Sequence, residues 1–222
     1  MDPKDTKFII VIGILALITI FGLAIMALAD RRRKSTFAAA VSPLGFHRLP
    51  EGEPLRLPQV PILEHAHRSI GPVLQGRWHD FGVFLFDISY RVAKSGSQQT
   101  VVAFLIPQFS LPKFQLRENS MFDHGWEAYA DCRVKFPDSP EFDRRYALTG
   151  PDAERLQAFF RSGLLDVLLA EPENRWTIEG YGNCLAFYRH GSNLKVESLS
   201  DCVQQTGEMA ERILGVLRSM NG

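Results

Sequence analysis

The nearest approach to a metal-binding pattern in this sequence is His65-Ala66-His67 beside Glu64. On an extended strand the two imidazoles share a face, and a third zinc ligand would have to come from His79 or Asp80. Histidines one residue apart arise readily by chance. Surface or packing roles account for these better, and no metal is expected. His79-Asp80 and Asp123-His124 each set an imidazole beside a carboxylate, and Cys132 offers a nucleophile for a triad with His124 and Asp123. Adjacent residues in a strand point to opposite faces, however, and no motif ties a Ser or Cys to either pair. They are read as solvent-facing polar groups, and no catalytic residue is assigned.

Two other carboxylates interrupt apolar runs. Asp87 falls inside VFLFDISY, and Glu179 precedes Gly180. A carboxylate among apolar residues has to be paired. Arg91 or Arg117 is the expected partner of Asp87, and Arg189 that of Glu179 across a strand pair. Both carboxylates are read as members of structural ion pairs. The sequence contains no GxxxxGK(S/T), no GxGxxG after a strand, no HExxH and no GxSxG. No phosphate cradle and no cofactor site are therefore expected.

What must position these groups is a chain of 222 residues with 25 basic and 25 acidic side chains. That balance argues against a nucleic-acid coat and against an acidic disordered tail. Sixteen Phe and three Trp supply enough apolar surface to offset the entropy of ordering a domain. Trp78, Trp126 and Trp176 have no basic stripe beside them, so no nucleic-acid partner is expected. Cys132, Cys184 and Cys202 are sparse, odd in number and form no CxxC, which gives neither a disulfide framework nor a zinc knuckle.

The N-terminus carries the clearest signal. Phe8 to Ala29 runs 22 residues without a charge. As a helix it would be about 33 Å long, enough to cross roughly 30 Å of hydrocarbon. Asp30, Arg31, Arg32, Arg33 and Lys34 end the run. A cleaved signal peptide is the rival reading, since Ala27-Leu28-Ala29 has a small-x-small form. The apolar run is too long for a signal core, and four cations after the site would resist translocation. Lys4 and Lys7 on one flank against four successive cations on the other place the bulk of the chain on the cytoplasmic side of a bacterial inner membrane. Gly22 to Ala27 offers small residues through which two copies could meet, giving a homodimer.

Three regions follow: an N-terminal transmembrane anchor (1–30), a basic stop-transfer segment and Pro-rich linker (31–69), and a soluble α+β domain (70–222). Six prolines between Pro43 and Pro72 favour extended, irregular backbone. Ile62 to Arg68 fits either a strand or a helical turn. In the domain, Val73–Trp78 and Val83–Val92 read as strands, the second with Phe84, Phe86, Ile88, Tyr90 and Val92 on one face. Gln99–Ile106 is apolar on both faces and is expected to be central. Lys113–Arg117, Asp131–Phe136, Arg144–Leu148, Arg175–Glu179, Cys184–Arg189 and Leu194–Glu197 complete the expected strands. Residues 118–130 are left unassigned. A first helix is expected from Pro151 to about Ala170, with Leu156, Phe159, Phe160, Leu164, Val167 and Leu168 as its buried stripe. A closing helix capped by Ser200 buries Val203, Met209, Ala210, Ile213, Leu214 and Leu217. The fold class expected is α+β: a transmembrane helix, then a mostly antiparallel sheet packed with two helices on one side.

GRWHDFGVFLFDISYRV, TVVAFLIPQFSLPKFQLR, RRYALTGPDAERLQAFF and WTIEGYGNCLAFYR together resemble bacterial single-pass membrane proteins with a soluble α+β domain. The resemblance spans most of 70–218 and implies a bacterial source. No reaction attaches to that class, so it implies no catalytic residue. The function expected is that of a membrane-anchored, non-catalytic accessory or partner-binding protein. A tethered lipid- or small-molecule-binding domain, or an enzyme with an unfamiliar site, is the alternative. The expected partners are the bilayer, through Phe8–Ala29, and a membrane protein.

Overall fold

Alternation along one strand organises the molecule. The computed structural model describes residues 17–22, 24–25, 28, 33, 36–50, 60–64, 68–92, 95–119, 132–171, 176–189 and 192–220. Strand β4 (Phe81–Val92) sends Val83 and Leu85 to one face and Phe84, Phe86 and Ile88 to the other, and all five are buried. A strand buried on both sides needs a covering layer on each, and the chain supplies two different ones.

Among the described residues, ten strands form one antiparallel sheet. They are β1 (His47–Arg48), β2 (Arg68–Ile70), β3 (Leu74–Trp78), β4, β5 (Ser95–Leu105), β6 (Leu111–Glu118), β7 (Arg133–Val134), β8 (Tyr146–Thr149), β9 (Thr177–Gly182) and β10 (Cys184–Tyr188). Their order is β1-β3-β4-β5-β10-β9-β6-β8-β7, with β2 also paired to β4. The apolar run around Val101–Leu105 does lie centrally, between β4 and β10. The β9–β10 hairpin slots between β5 and β6 and joins the two halves of the sheet.

Several helices cover one face, rather than two. They are α1 (36–41), α2 (Pro140–Arg145), α3 (Ala153–Arg161), α4 (Leu164–Ala170) and α5 (Leu199–Met220). Phe37, Val41, Phe142, Leu156, Phe160, Leu164, Leu168, Ile213 and Leu214 pack there against Leu85, Val102, Phe104, Leu116, Ile178 and Phe187. The opposite face is closed by a short strap, the 3-10 turn Pro61–Glu64, which seats Val60, Ile62 and Leu63 on Phe84, Phe86, Val101, Ala103 and Ala186. Residues 36–48 and 60–64, within the stretch read as linker, thus contribute to both cores.

Local chemistry explains where the elements differ from expectation. The single helix expected over 151–170 is two. Asp152, not a residue further back, is the N-cap and accepts from the Arg155 amide at 3.0 Å. The break falls at Gly163, whose φ of +116° lies outside helical backbone. Arg144 and Arg145 end α2 instead of opening a strand. Pro140 occupies the first helical position and Glu141 and Asp143 fall in the first turn, which together start that helix. The strand expected over Leu194–Glu197 is absent. Thr100 Oγ1 accepts from the Leu194 amide at 3.1 Å and Arg33 Nη1 donates to its carbonyl at 2.9 Å, so neither group is left for a ladder. A 3-10 turn (Val196–Ser198) follows and α5 begins at Leu199, one residue before the proposed Ser200 cap.

Most of Phe8–Ala29 lies outside the described residues. Residues 17–22 are helical, and Leu17, Ile18, Ile20 and Phe21 are 61–70% exposed. No helix among the described residues is long and apolar enough to cross a membrane.

Candidate functional site

Along the helix-covered face of β4 the apolar side chains stop at Leu85, and Asp87 and Ser89 take over. At the same point the neighbouring edge changes. β3 pairs with Phe81–Leu85 and β2 with Ile88–Tyr90, so the edge strand is interrupted at Gly71–Val73, opposite Asp87. The Gly71 amide still donates to the Asp87 carbonyl at 2.8 Å, which keeps the two pieces in line. The polar end of the sheet receives the N-terminal segment there.

Arg33, four residues before Phe37, makes that contact. Its Nε donates to Asp87 Oδ2 at 2.8 Å and its Nη2 to Asp87 Oδ1 at 3.1 Å, a two-pronged, charge-assisted pairing. Thr100, directly across the β4–β5 ladder from Asp87, donates its hydroxyl to Oδ1 at 2.6 Å. The same hydroxyl oxygen accepts from the Leu194 amide, and the Arg33 guanidinium also lies over the Phe37 ring, 5.6 Å from its centre. Two side chains from distant parts of the chain, Arg33 and Thr100, thus bond one carboxylate. The sequence leads to Asp87 as a paired carboxylate but to the wrong partner. Arg117 sits on β6, with β5, β10 and β9 between it and β4. The true partner lies 54 residues upstream, among the cations read as stop-transfer.

Around this clamp is a cleft of about 410 Å³, lined by Arg33, Phe37, Ser69, Ile70, Gly71, Pro72, Asp87, Ser89, Gln98 and Asn193. That volume falls within the roughly 300–1,000 Å³ usual for small-molecule sites. Its two charges neutralise each other. Asn193 Nδ2 donates to Gln98 Oε1 at 2.9 Å, while Asn193 Oδ1 is shut off from solvent without a donor. A buried acceptor without a donor is uncommon in a finished structure.

A second polar cluster lies under the strap. Glu179 is fully buried, and its Oε2 accepts from the Ile62 amide at 2.7 Å. Its Oε1 accepts from Tyr188 Oη at 2.6 Å and from Gln115 Nε2 at 2.8 Å. Burial pushes this carboxyl up to about 7, against the opposing pull of these three hydrogen bonds. The expected Arg189 pairing does not form. Glu179 stands opposite Ala186, so Arg189, an odd number of residues further along, belongs to the other face. Its guanidinium stacks on Trp176 at 4.5 Å. Lys113 and Glu64 form an ion pair at the edge of the strap.

The remaining sequence candidates are not brought together. His79 sits in the β3–β4 turn at φ +48°, exposed, with Nε2 3.2 Å from Glu211. His65, His67, Asp123 and His124 lie outside the described residues. Among the described residues no group of three His, Cys, Asp or Glu could hold a metal. Cys132 is exposed, whereas Cys184 and Cys202 are buried with their thiols pushed up to about 12 by desolvation.

No protein-family model matches the sequence, and neither does any curated protein. Among solved structures the chain is similar to the crystal structure of the mycobacterial trehalose monomycolate transport factor A, TtfA. The two are 14% identical, with a TM-score of 0.54 over 84% of this chain and 94% of that one, a likeness of fold.

Proposed function

We propose that this chain is a membrane-tethered, non-catalytic accessory protein that serves the movement of envelope lipids. In this reading Phe8–Ala29 spans the bacterial inner membrane, the domain lies on its cytoplasmic side, and a membrane protein is its partner. The Arg33 clamp carries the proposal. It fixes the chain to the sheet four residues beyond Ala29, so the domain cannot swing freely from its tether and the cleft is held beside it. The exposed apolar side chains at 17, 18, 20 and 21 support a lipid cover for that helix. The likeness in fold to a trehalose monomycolate transport factor supports the lipid setting.

A lipid headgroup or other small molecule in the cleft is the second reading, favoured by its volume of about 410 Å³. An acyl chain does not fit the apolar void between the helices and the sheet. The apolar void lined by Phe114, Phe160, Leu168 and Ile213 measures about 10 Å³, roughly the space of one water. Chains would stay in the bilayer while a headgroup is contacted.

Alkaline carbonate extraction of cells tests the tether. The full-length chain should stay with the membrane pellet, and deletion of residues 8–29 should release it. Recovery of the intact chain in the soluble fraction would overturn the proposal. Protease added to spheroplasts tests the side: the domain should survive until the membrane is opened.

A further inference from the structure

The polar end of the sheet is ordered, not merely polar. Ser69, Ser89 and Gln98 are direct cross-strand partners on β2, β4 and β5. Directly opposed residues share a face, with Cβ atoms about 4.5–5.5 Å apart. They therefore form a straight ledge about 10 Å long. Asn193 extends it through its hydrogen bond to Gln98. The next row inward holds Asp87 and Thr100, which the Arg33 clamp already occupies. All of these groups except Thr100 line the same cleft, whose other wall includes Phe37, Gly71 and Pro72.

We propose that this ledge binds a neutral, hydroxyl-rich headgroup: the saccharide of a membrane glycolipid. Three features select that chemistry. Among the described residues that line the cleft, the one cation and the one anion are spent on each other, leaving no unbalanced charge there for a phosphate. The Ser69 and Ser89 hydroxyls and the Gln98 amide present donors and acceptors side by side, which is what a row of sugar hydroxyls requires. Phe37 and Pro72 provide a small apolar wall for the C–H face of a ring. The position selects the lipid as source, because Arg33 follows the apolar segment by four residues. In that respect the inference rests on the tethering reading.

The test uses the full chain in phosphatidylcholine nanodiscs, with backbone hydrogen exchange read at 69–71, 98 and 193–194. Adding monoglucosyl diacylglycerol should slow exchange there, and phosphatidylglycerol should not. Ser69→Trp, at an exposed edge position, should weaken the glycolipid effect about tenfold by filling the cleft. Gln98→Ala removes one neutral hydrogen bond and should weaken it about fivefold; it serves if the tryptophan variant fails to fold. Protection by methyl glucoside alone would support the saccharide chemistry and assign it to a soluble sugar. Equal protection by phosphatidylglycerol, or none by any probe, would overturn the proposal. Failure of the tether is read separately, as a chain that does not co-elute with the discs.

Discussion

Arg33 and Asp87, 54 residues apart, are held together by two hydrogen bonds of 2.8 and 3.1 Å, and through them the N-terminal helix is fastened to the sheet. Both side chains are about a quarter exposed, at 25% and 23%. The pair therefore lies between a surface ion pair, worth about 0–1 kcal/mol, and a buried one, whose disruption costs about 3–5 kcal/mol. A double-mutant cycle with Arg33→Met and Asp87→Asn should give a coupling of about 1–2 kcal/mol, measured by thermal unfolding in detergent. Coupling near zero would mean that the helix is held by its other contacts, among them Phe37, Val41 and the Arg33–Leu194 hydrogen bond.

Glu179 makes stability depend on pH in a defined sense. Its folded value is about 7 against an ordinary 4.5. Between these values the native state keeps a proton that the unfolded state has lost. Stability should therefore fall as pH rises through this window, by up to about 1.4 kcal/mol per unit, and level off above it. Below 4.5 both states are protonated and the group contributes no slope. Glu179→Gln removes the titration, so the melting temperature of the parent should decline relative to the variant between pH 4.5 and 7. Parallel curves would show that the carboxyl does not titrate there.

The strands with strict alternation were legible because burial follows side-chain parity. Phe84, Phe86 and Ile88 against Val83 and Leu85 could be sorted by eye, and α5 by its three- and four-residue spacing. What escaped was long-range pairing. Nothing local marks Arg33, within a run of four cations, as a partner of the sheet. Glu179 stands out as a carboxylate within a strand, yet its partners come from two other strands and from the amide of Ile62, which carries no side-chain signal. The strap was unreadable for a related reason: its apolar residues lie between prolines in a stretch without periodicity. The ledge of Ser69, Ser89 and Gln98 depends on register, which sequence spacing does not give.

Thiol reactivity should divide the cysteines one against two. Cys132 is exposed, while Cys184 and Cys202 are buried with thiols pushed up to about 12. Only thiolate reacts at an appreciable rate. A maleimide should modify Cys132 in the native chain and all three in denaturant, counted by intact mass. Modification of Cys184 under native conditions would indicate that the strap face opens.

Two glycines in α5 should respond oppositely to the same substitution. At Gly215 an added Cβ meets nothing within 4 Å. Gly215→Ala should therefore show the intrinsic helix preference, a gain of about 0.5–1 kcal/mol. At Gly207 the Cβ would collide with the indole of Trp78. That ring also donates from Nε1 to Glu211 Oε1 at 3.1 Å, so it cannot withdraw without giving up a hydrogen bond. The overpacking should outweigh the helix preference, and Gly207→Ala should destabilise by about 1–3 kcal/mol. Trp78→Phe in the same background relieves part of the clash by shrinking the ring. Recovery of stability in that double variant, measured by thermal unfolding against each single variant, would place the cost at the β3–α5 contact. Equal gains from both glycine substitutions would mean that Trp78 does not pack on α5.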